Sequence, residues 1–176
     1  GISISYRDRN EQNTISDLYD DCLLAIRYLI ENADDFEIDK EKIIILGDSA
    51  GGHLALCLAT RNDFTPYMTI ACNPITDLSD PKWIGYVKNK DEKIAYSLSP
   101  VYFADKLQSK TVLLHGDADH VVDISHSMRF YEQADKALCS LEIIPNANHA
   151  FILPGYYKDE KINKKAIGML EKMVGL

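Results

Sequence analysis

The chain has 176 residues, 46% hydrophobic and 26% charged, with 27 acidic against 19 basic side chains and a net charge of −8. That length supports one domain with a proper core. The acidic balance excludes general affinity for nucleic acid or anionic membrane, because no basic surplus exists to hold phosphates. No apolar run approaches transmembrane length, so the expectation is a cytoplasmic protein with no membrane partner. Cys22, Cys57, Cys72 and Cys139 are far apart and sit in or beside apolar stretches. They form no C-x-x-C pair or Cys/His cluster of the kind that binds metal. Four free buried thiols in a reducing compartment are expected, with two disulfides as the alternative.

In chain order, Ile2-Ser3-Ile4-Ser5-Tyr6 alternates apolar and polar residues and predicts a strand. The polar run from Arg7 to Asn13 predicts a loop. Ser16 or Thr14 can cap a helix whose apolar positions Leu18, Cys22, Ala25, Ile26 and Leu29 follow helical spacing. Ile43-Ile44-Ile45-Leu46 reads as a buried strand. It runs into Gly47-Asp48-Ser49-Ala50-Gly51, and Ala50 to Ala59 is apolar almost all round, so that helix should be buried. Tyr67 to Cys72 predicts the next strand, closed by Asn73-Pro74.

From Ile75 to about Lys106 the pattern loosens, with Trp83, Tyr86, Tyr96, Tyr102 and Phe103 spread through it. A long aromatic-rich connection over residues 75–106 serves either as a lid or pocket wall, or as cover over the core. Trp83, Tyr86 and Tyr96 are the candidate substrate-binding residues. Thr111 to His115 predicts a strand, Ser125 to Ala137 a helix and Leu141 to Pro145 a last strand. Asp159 to Val174 predicts a closing amphipathic helix. The Lys-rich stretch Lys158 to Lys165, interrupted by Asp159 and Glu160, reads as its solvated face. Strands alternating with helices argue for a parallel sheet covered on both faces. Ligands in such sheets bind along the edge formed by the strands' C-terminal ends.

Chemistry-bearing residues fall on that edge. Gly47 to Gly51 fits G-x-S-x-G, a turn so sharp that side chains flanking the serine would clash across it. A glycine-rich strand–helix connection with an ordinary capping serine is the plainer alternative. Serine needs a base within hydrogen-bond reach, which histidine supplies, and a carboxylate that holds the ring in the right tautomer. Ser49, Asp119 and His149 each follow a different strand. Asp117 and Asp123 are rivals to Asp119; one can cap the following helix and the other face solvent. His115 reads as a satisfied buried histidine, His53 as structural, and His120 and His126 as exposed. His149 has the strongest claim to be the base.

The segment Gly47-Asp48-Ser49-Ala50-Gly51-Gly52-His53-Leu54-Ala55-Leu56 resembles the nucleophile segment of acetyl-esterase and lipase-like α/β-hydrolases, close to the hormone-sensitive-lipase group. Ser5-Tyr6-Arg7 resembles their "DYR" segment, and the helix with Asp20, Asp21 and Ala25-Ile26-Arg27-Tyr28-Leu29 resembles the one that follows it. Leu98-Ser99-Pro100-Val101 resembles their "SP" segment. His115-Gly116-Asp117-Ala118-Asp119-His120-Val121-Val122 resembles "HGxxDxxV" and leans toward feruloyl-esterase-like and prolyl-oligopeptidase-like members. The resemblance implies Ser49 as nucleophile, Asp119 as acid, His149 as base and the Ala50 amide as an oxyanion donor.

In this family further strands precede the first one here, and a His-Gly-Gly-Gly-type loop supplies oxyanion amides. His-Gly-Gly occurs nowhere in the chain. The expectation is therefore a single domain over residues 1–176: an α/β-hydrolase catalytic domain without its N-terminal strands, with about five strands in a mostly parallel sheet. The implied activity is hydrolysis of short acyl esters, such as acetyl esters, with a small-molecule ester as substrate and no metal or organic cofactor. A prolyl-oligopeptidase-like peptidase and a catalytically impaired binding or assembly module are the alternatives. The exposed sheet edge would be covered by a second copy or a complementing chain.

Overall fold

Parallel pairing organises the molecule. The computed structural model describes residues 1–8, 10, 13–61, 63–155 and 157–175. Its strands are β1 (Ile44–Asp48), β2 (Met68–Cys72), β3 (Lys110–Gly116) and β4 (Cys139–Ile144), in spatial order β1-β2-β3-β4 with every pair parallel. The helices are α1 (Ile15–Glu31), α2 (Ala50–Thr60), α3 (Glu92–Ser97), α4 (Ser125–Gln133) and α5 (Glu160–Val174). Among the described residues no helix is long and apolar enough to cross a membrane.

The two-residue period of the strands decides what each face buries. Ala71 of β2 and Leu113 of β3 point to one side, where they pack with Leu56 of α2 and Phe130 of α4. Ile70, Cys72, Val112 and Leu114 point to the other, against Ala166 and Met169 of α5. Leu56, Ile70, Leu113, Leu114 and Phe130 are completely buried. Each such side chain contributes roughly 1.5–3 kcal/mol relative to exposure. As its all-round apolar sequence implies, α2 is buried without a break from Gly52 to Thr60. Its neighbour α1 buries only the stripe Ile15, Leu18, Tyr19, Cys22, Leu23 and Ile26. Thr14 precedes α1, and the Asp17 carboxylate accepts from both its amide and its hydroxyl, closing the helix start. All four cysteines are free and buried.

Two expectations change. Residues 2–6 are not a strand: they pair with no neighbour, and Ile2 and Ile4 are exposed. Alternation prepares a strand, but only ladder hydrogen bonds make one, and β1 is paired on its β2 side alone. The sheet of the described residues therefore has four strands. The connection over 75–106 also contains regular structure, with α3 and the 3₁₀ segments Ile84–Tyr86, Lys88–Lys90 and Pro100–Lys106. Asp91 starts α3 by accepting from the amides of Lys93 and Ile94. Of the loop expected over 7–13, positions 9, 11 and 12 lie outside the described residues.

Candidate active site

The C-terminal ends of β1, β3 and β4 bring together Ser49, Asp119 and His149. Ser49 sits between β1 and α2 with φ 54° and ψ −114°, a left-handed conformation that costs a non-glycine residue about 1–3 kcal/mol. The surroundings enforce it. A Cβ on Gly47 would lie 2.2 Å from the Gly51 carbonyl oxygen, and one on Gly52 would lie 2.9 Å from the Cys72 carbonyl oxygen. The Ser49 amide donates to that same Cys72 carbonyl at 2.9 Å, and the Ser49 carbonyl accepts from the His53 amide at 3.0 Å. The turn thus has room for hydrogen in place of two side chains, and its serine is pinned to β2. Ala50, the first residue of α2, is exposed. Its amide belongs to the first helical turn, where N–H groups lack intrahelical acceptors and the helix dipole is positive.

Asp119 lies in the turn after β3, its side chain fully buried. Its Oδ1 accepts from the amides of Val121 at 2.8 Å and Val122 at 2.9 Å. Its Oδ2 lies 2.7 Å from His149 Nδ1. Burial pushes the carboxyl up, but the His149 hydrogen bond and the two amides outweigh it and hold Asp119 below the usual carboxylate range. An ionised Asp119 only accepts, so His149 Nδ1 carries a proton and Nε2 is left as the acceptor. Ser49 Oγ is 2.9 Å from that Nε2. The result is a continuous run of hydrogen bonds, hydroxyl to imidazole to carboxylate, with the His149 side chain only 16% exposed.

The loop after β4 is built against the turn that carries Asp119. A Cβ on Gly116 would lie 2.2 Å from the Ala147 carbonyl oxygen, which accepts from the Ala118 amide at 3.0 Å. Asn148 Oδ1 accepts from the amides of His149 at 2.8 Å and His120 at 3.2 Å, and the Tyr157 hydroxyl accepts from the Asn148 amide. Asn146 and Ala150 both have φ 60°, which folds the loop tightly around His149.

The rivals take other tasks. Asp117 is exposed and accepts from the Asn146 amide, while Asp123 accepts from the Ser125 amide at the start of α4. His53 is buried between the Ile75 carbonyl and Cys57. His120 is exposed. His126, expected at the surface, is instead buried, and its Nε2 accepts from the Trp83 indole N–H at 3.1 Å. That bond turns Trp83 into the core rather than toward solvent, so the expected pocket aromatic is a packing residue at 6% exposure. Tyr86 packs beside it, with ring centroids 5.6 Å apart. Tyr96 is exposed, stacks on Tyr102 at 4.5 Å, and lines a cavity of about 540 Å³ with Pro81, Ile84 and Glu92.

Asp48 and Asn73 were missing from the sequence-derived site. Asn73, itself at φ 45°, donates to Asp48 Oδ1 at 3.1 Å and accepts from the Gly116 amide at 3.3 Å. These bonds stitch the ends of three strands together behind Ser49. Burial holds the Asp48 carboxyl above the usual range, against the Asn73 hydrogen bond. An acidic residue directly before the serine of an otherwise apolar strand was the available signal. No group of three or more His, Cys, Asp or Glu side chains arranged to hold a metal occurs among the described residues.

Residues 1–167 match the model of the prolyl oligopeptidase family. Ethyl acetate hydrolase of Pseudomonas putida is 38% identical over 65 residues, which cover 34% of this chain and 20% of that protein. A protein of Acanthamoeba polyphaga mimivirus, classed by its name among the α/β-hydrolases, is 23% identical over 142 residues, or 77% of this chain and 48% of its own. The chain thus spans less than half the length of these curated relatives. A thermophilic esterase of Thermogutta terrifontis, solved with propionate bound, superposes with a TM-score of 0.78 at 25% identity, covering 96% of this chain and 70% of that one. The same esterase with butyrate bound gives a TM-score of 0.74 at 25% identity, covering 96% and 70%.

Proposed function

The chain belongs to the prolyl oligopeptidase family and has the fold of the α/β-hydrolase esterases, and from that premise we propose that it is a serine carboxylesterase acting on short acyl esters, acetyl esters among them. The observation that carries this reading is the hydrogen-bonded run from Ser49 Oγ through the His149 ring to Asp119 Oδ2. Ser49 Oγ attacks the ester carbonyl carbon while its proton passes to His149 Nε2. Asp119 stays ionised and stabilises the imidazolium. The tetrahedral oxyanion accepts from the Ala50 amide at the start of α2, a type of contact worth about 3–4 kcal/mol of barrier. Collapse expels the alcohol, which takes the proton from His149, and leaves an acyl group on Ser49. Water then attacks that acyl group, with His149 again accepting the proton, and the carboxylic acid leaves as the proton returns to Ser49.

The short acyl preference is supported by the partial likeness to ethyl acetate hydrolase and by the likeness to an esterase solved with propionate and with butyrate. A fluorophosphonate probe followed by peptide mass mapping is the direct test. The expected result is one adduct, on Ser49, with turnover of p-nitrophenyl acetate exceeding that of long-chain esters. Ser49→Ala should abolish both. Folded protein that gains no adduct at Ser49 overturns the reading.

A peptidase reading draws on the family's name. Comparing p-nitrophenyl acetate with prolyl p-nitroanilides separates the two, and cleavage of the anilide with no ester turnover would favour the peptidase. Ester hydrolysis that disappears in Ser49→Ala would exclude an inert binding module.

A further inference from the structure

His115 is the penultimate residue of β3, just before Gly116 that leads into the Asp119 turn, and its ring is completely buried. Both ring nitrogens are engaged. Nδ1 lies 2.7 Å from the Ser127 hydroxyl of α4, and Nε2 lies 2.9 Å from the Val122 carbonyl. A carbonyl can only accept, so the proton sits on Nε2 and Ser127 donates to Nδ1. Burial keeps the ring below the usual histidine range and hence neutral near pH 7, against the opposing pull of the Val122 carbonyl and Asp119. The other titratable groups acting on it are His149 and Asp123.

The same Nε2 lies 3.6 Å from Asp119 Oδ2, the oxygen that His149 Nδ1 approaches to 2.7 Å. Val122, whose carbonyl His115 holds, also gives its amide to Asp119 Oδ1 at 2.9 Å. One imidazole therefore grips the far end of the turn and lays the positive end of an N–H dipole against the carboxylate. We propose that His115, with its tautomer fixed by Ser127, is a positioning residue that sets the place of Asp119 and so keeps His149 in register with Ser49. This inference rests on the reading of Ser49, His149 and Asp119 as the catalytic group. A histidine that merely fills the core would affect stability alone.

The test uses the full chain and the variants His115→Leu, His115→Gln and Ser127→Ala, each with its folded fraction measured. His115→Leu should lose about a hundredfold in kcat with KM nearly unchanged, the cost of slight misplacement of reacting groups. The acid limb of kcat/KM should move to higher pH, because the lost dipole leaves a more negative field holding the proton on the base. His115→Gln, which keeps an N–H in reach of the Val122 carbonyl, should recover most of kcat, and Ser127→Ala should fall between.

In the wild type, ¹⁵N NMR near pH 7 should show His115 neutral with its proton on Nε2. That measurement stands even if His115→Leu fails to fold. Folded His115→Leu and Ser127→Ala with unaltered kcat and pH profile overturn the inference, as does an Nδ1-protonated His115. Those results leave the proposed function intact when wild-type Ser49 is labelled by the fluorophosphonate. An unlabelled wild type overturns both.

Discussion

The turn that carries Ser49 and the paired loops that carry Asp119 and His149 are made rigid in different ways. The first is held by backbone sterics over a few consecutive residues. Gly47 and Gly52 leave no space for side chains, and the Ser49 amide is tied to Cys72. The second is held by side chains reaching between loops, through Asn148, Tyr157 and the amides that Asp119 ties down. His149 lies 30 positions from Asp119 and 100 from Ser49 in the chain. A serine placed by local sterics needs little from the rest of the fold. A carboxylate–imidazole pair placed by contacts distant in sequence depends on the whole sheet being assembled. The two regions meet at Asn73, which bonds both Asp48 and the Gly116 amide.

The largest effect should come from Asp119→Asn. An amide donating to His149 would favour the wrong tautomer, and kcat should fall by about 10⁴-fold with the fold intact, as steady-state kinetics beside a circular dichroism melt would show. Gly47→Ala should act on the other region and on stability instead. With backbone atoms at 2.2 Å there is nothing flexible to yield, so a loss of about 3 kcal/mol is expected in urea denaturation. Gly116→Ala, equally close to the Ala147 carbonyl, should show that the acid and base loops also rest on one steric contact. A mild effect at Gly116 beside a severe one at Gly47 would sharpen the contrast between the regions.

Acid should weaken the molecule next. Burial holds His53 down to about 4, well below the ordinary histidine value of about 6.5, with His115 and His126 shifted in the same direction. The unfolded chain therefore binds protons that the folded chain refuses. The stability is complete above the unfolded value and declines as pH falls from there toward about 4. His53 alone should account for about 2 kcal/mol between pH 7 and pH 5, read from denaturation midpoints. His53→Leu should flatten that slope; an unchanged slope would shift the effect to His115 behind the Asp119 turn. The smallest change should come from Asn148→Ala, which removes the one oxygen that accepts from both the His149 and His120 amides. A loss of about 1 kcal/mol in stability is expected, with kcat reduced and the Ser49 turn still reactive toward a small fluorophosphonate.

Much of this was legible in the residues themselves. The alternation of strands and helices, the buried α2 and the strained serine turn depend on short-range patterns, and local sterics make those patterns specific to residue type. Glycine at positions 47 and 52 is demanded by distances within the turn and to the adjoining strand. Tertiary contacts decided the rest. Residues 2–6 alternate like a strand, yet a strand exists only where a neighbour supplies its ladder. Trp83 looked like a pocket wall until His126, 43 residues away, accepted its indole N–H and drew it inward. Three aspartates within seven residues are chemically alike. The HGxxDxxV resemblance singles out Asp119, but packing sets it against His149, leaves Asp117 with the Asn146 amide and gives Asp123 the start of α4. Steric limits act between neighbours and so are written in the order of residues, whereas hydrogen-bond partners far apart in the chain are chosen only when the sheet closes the distance between them.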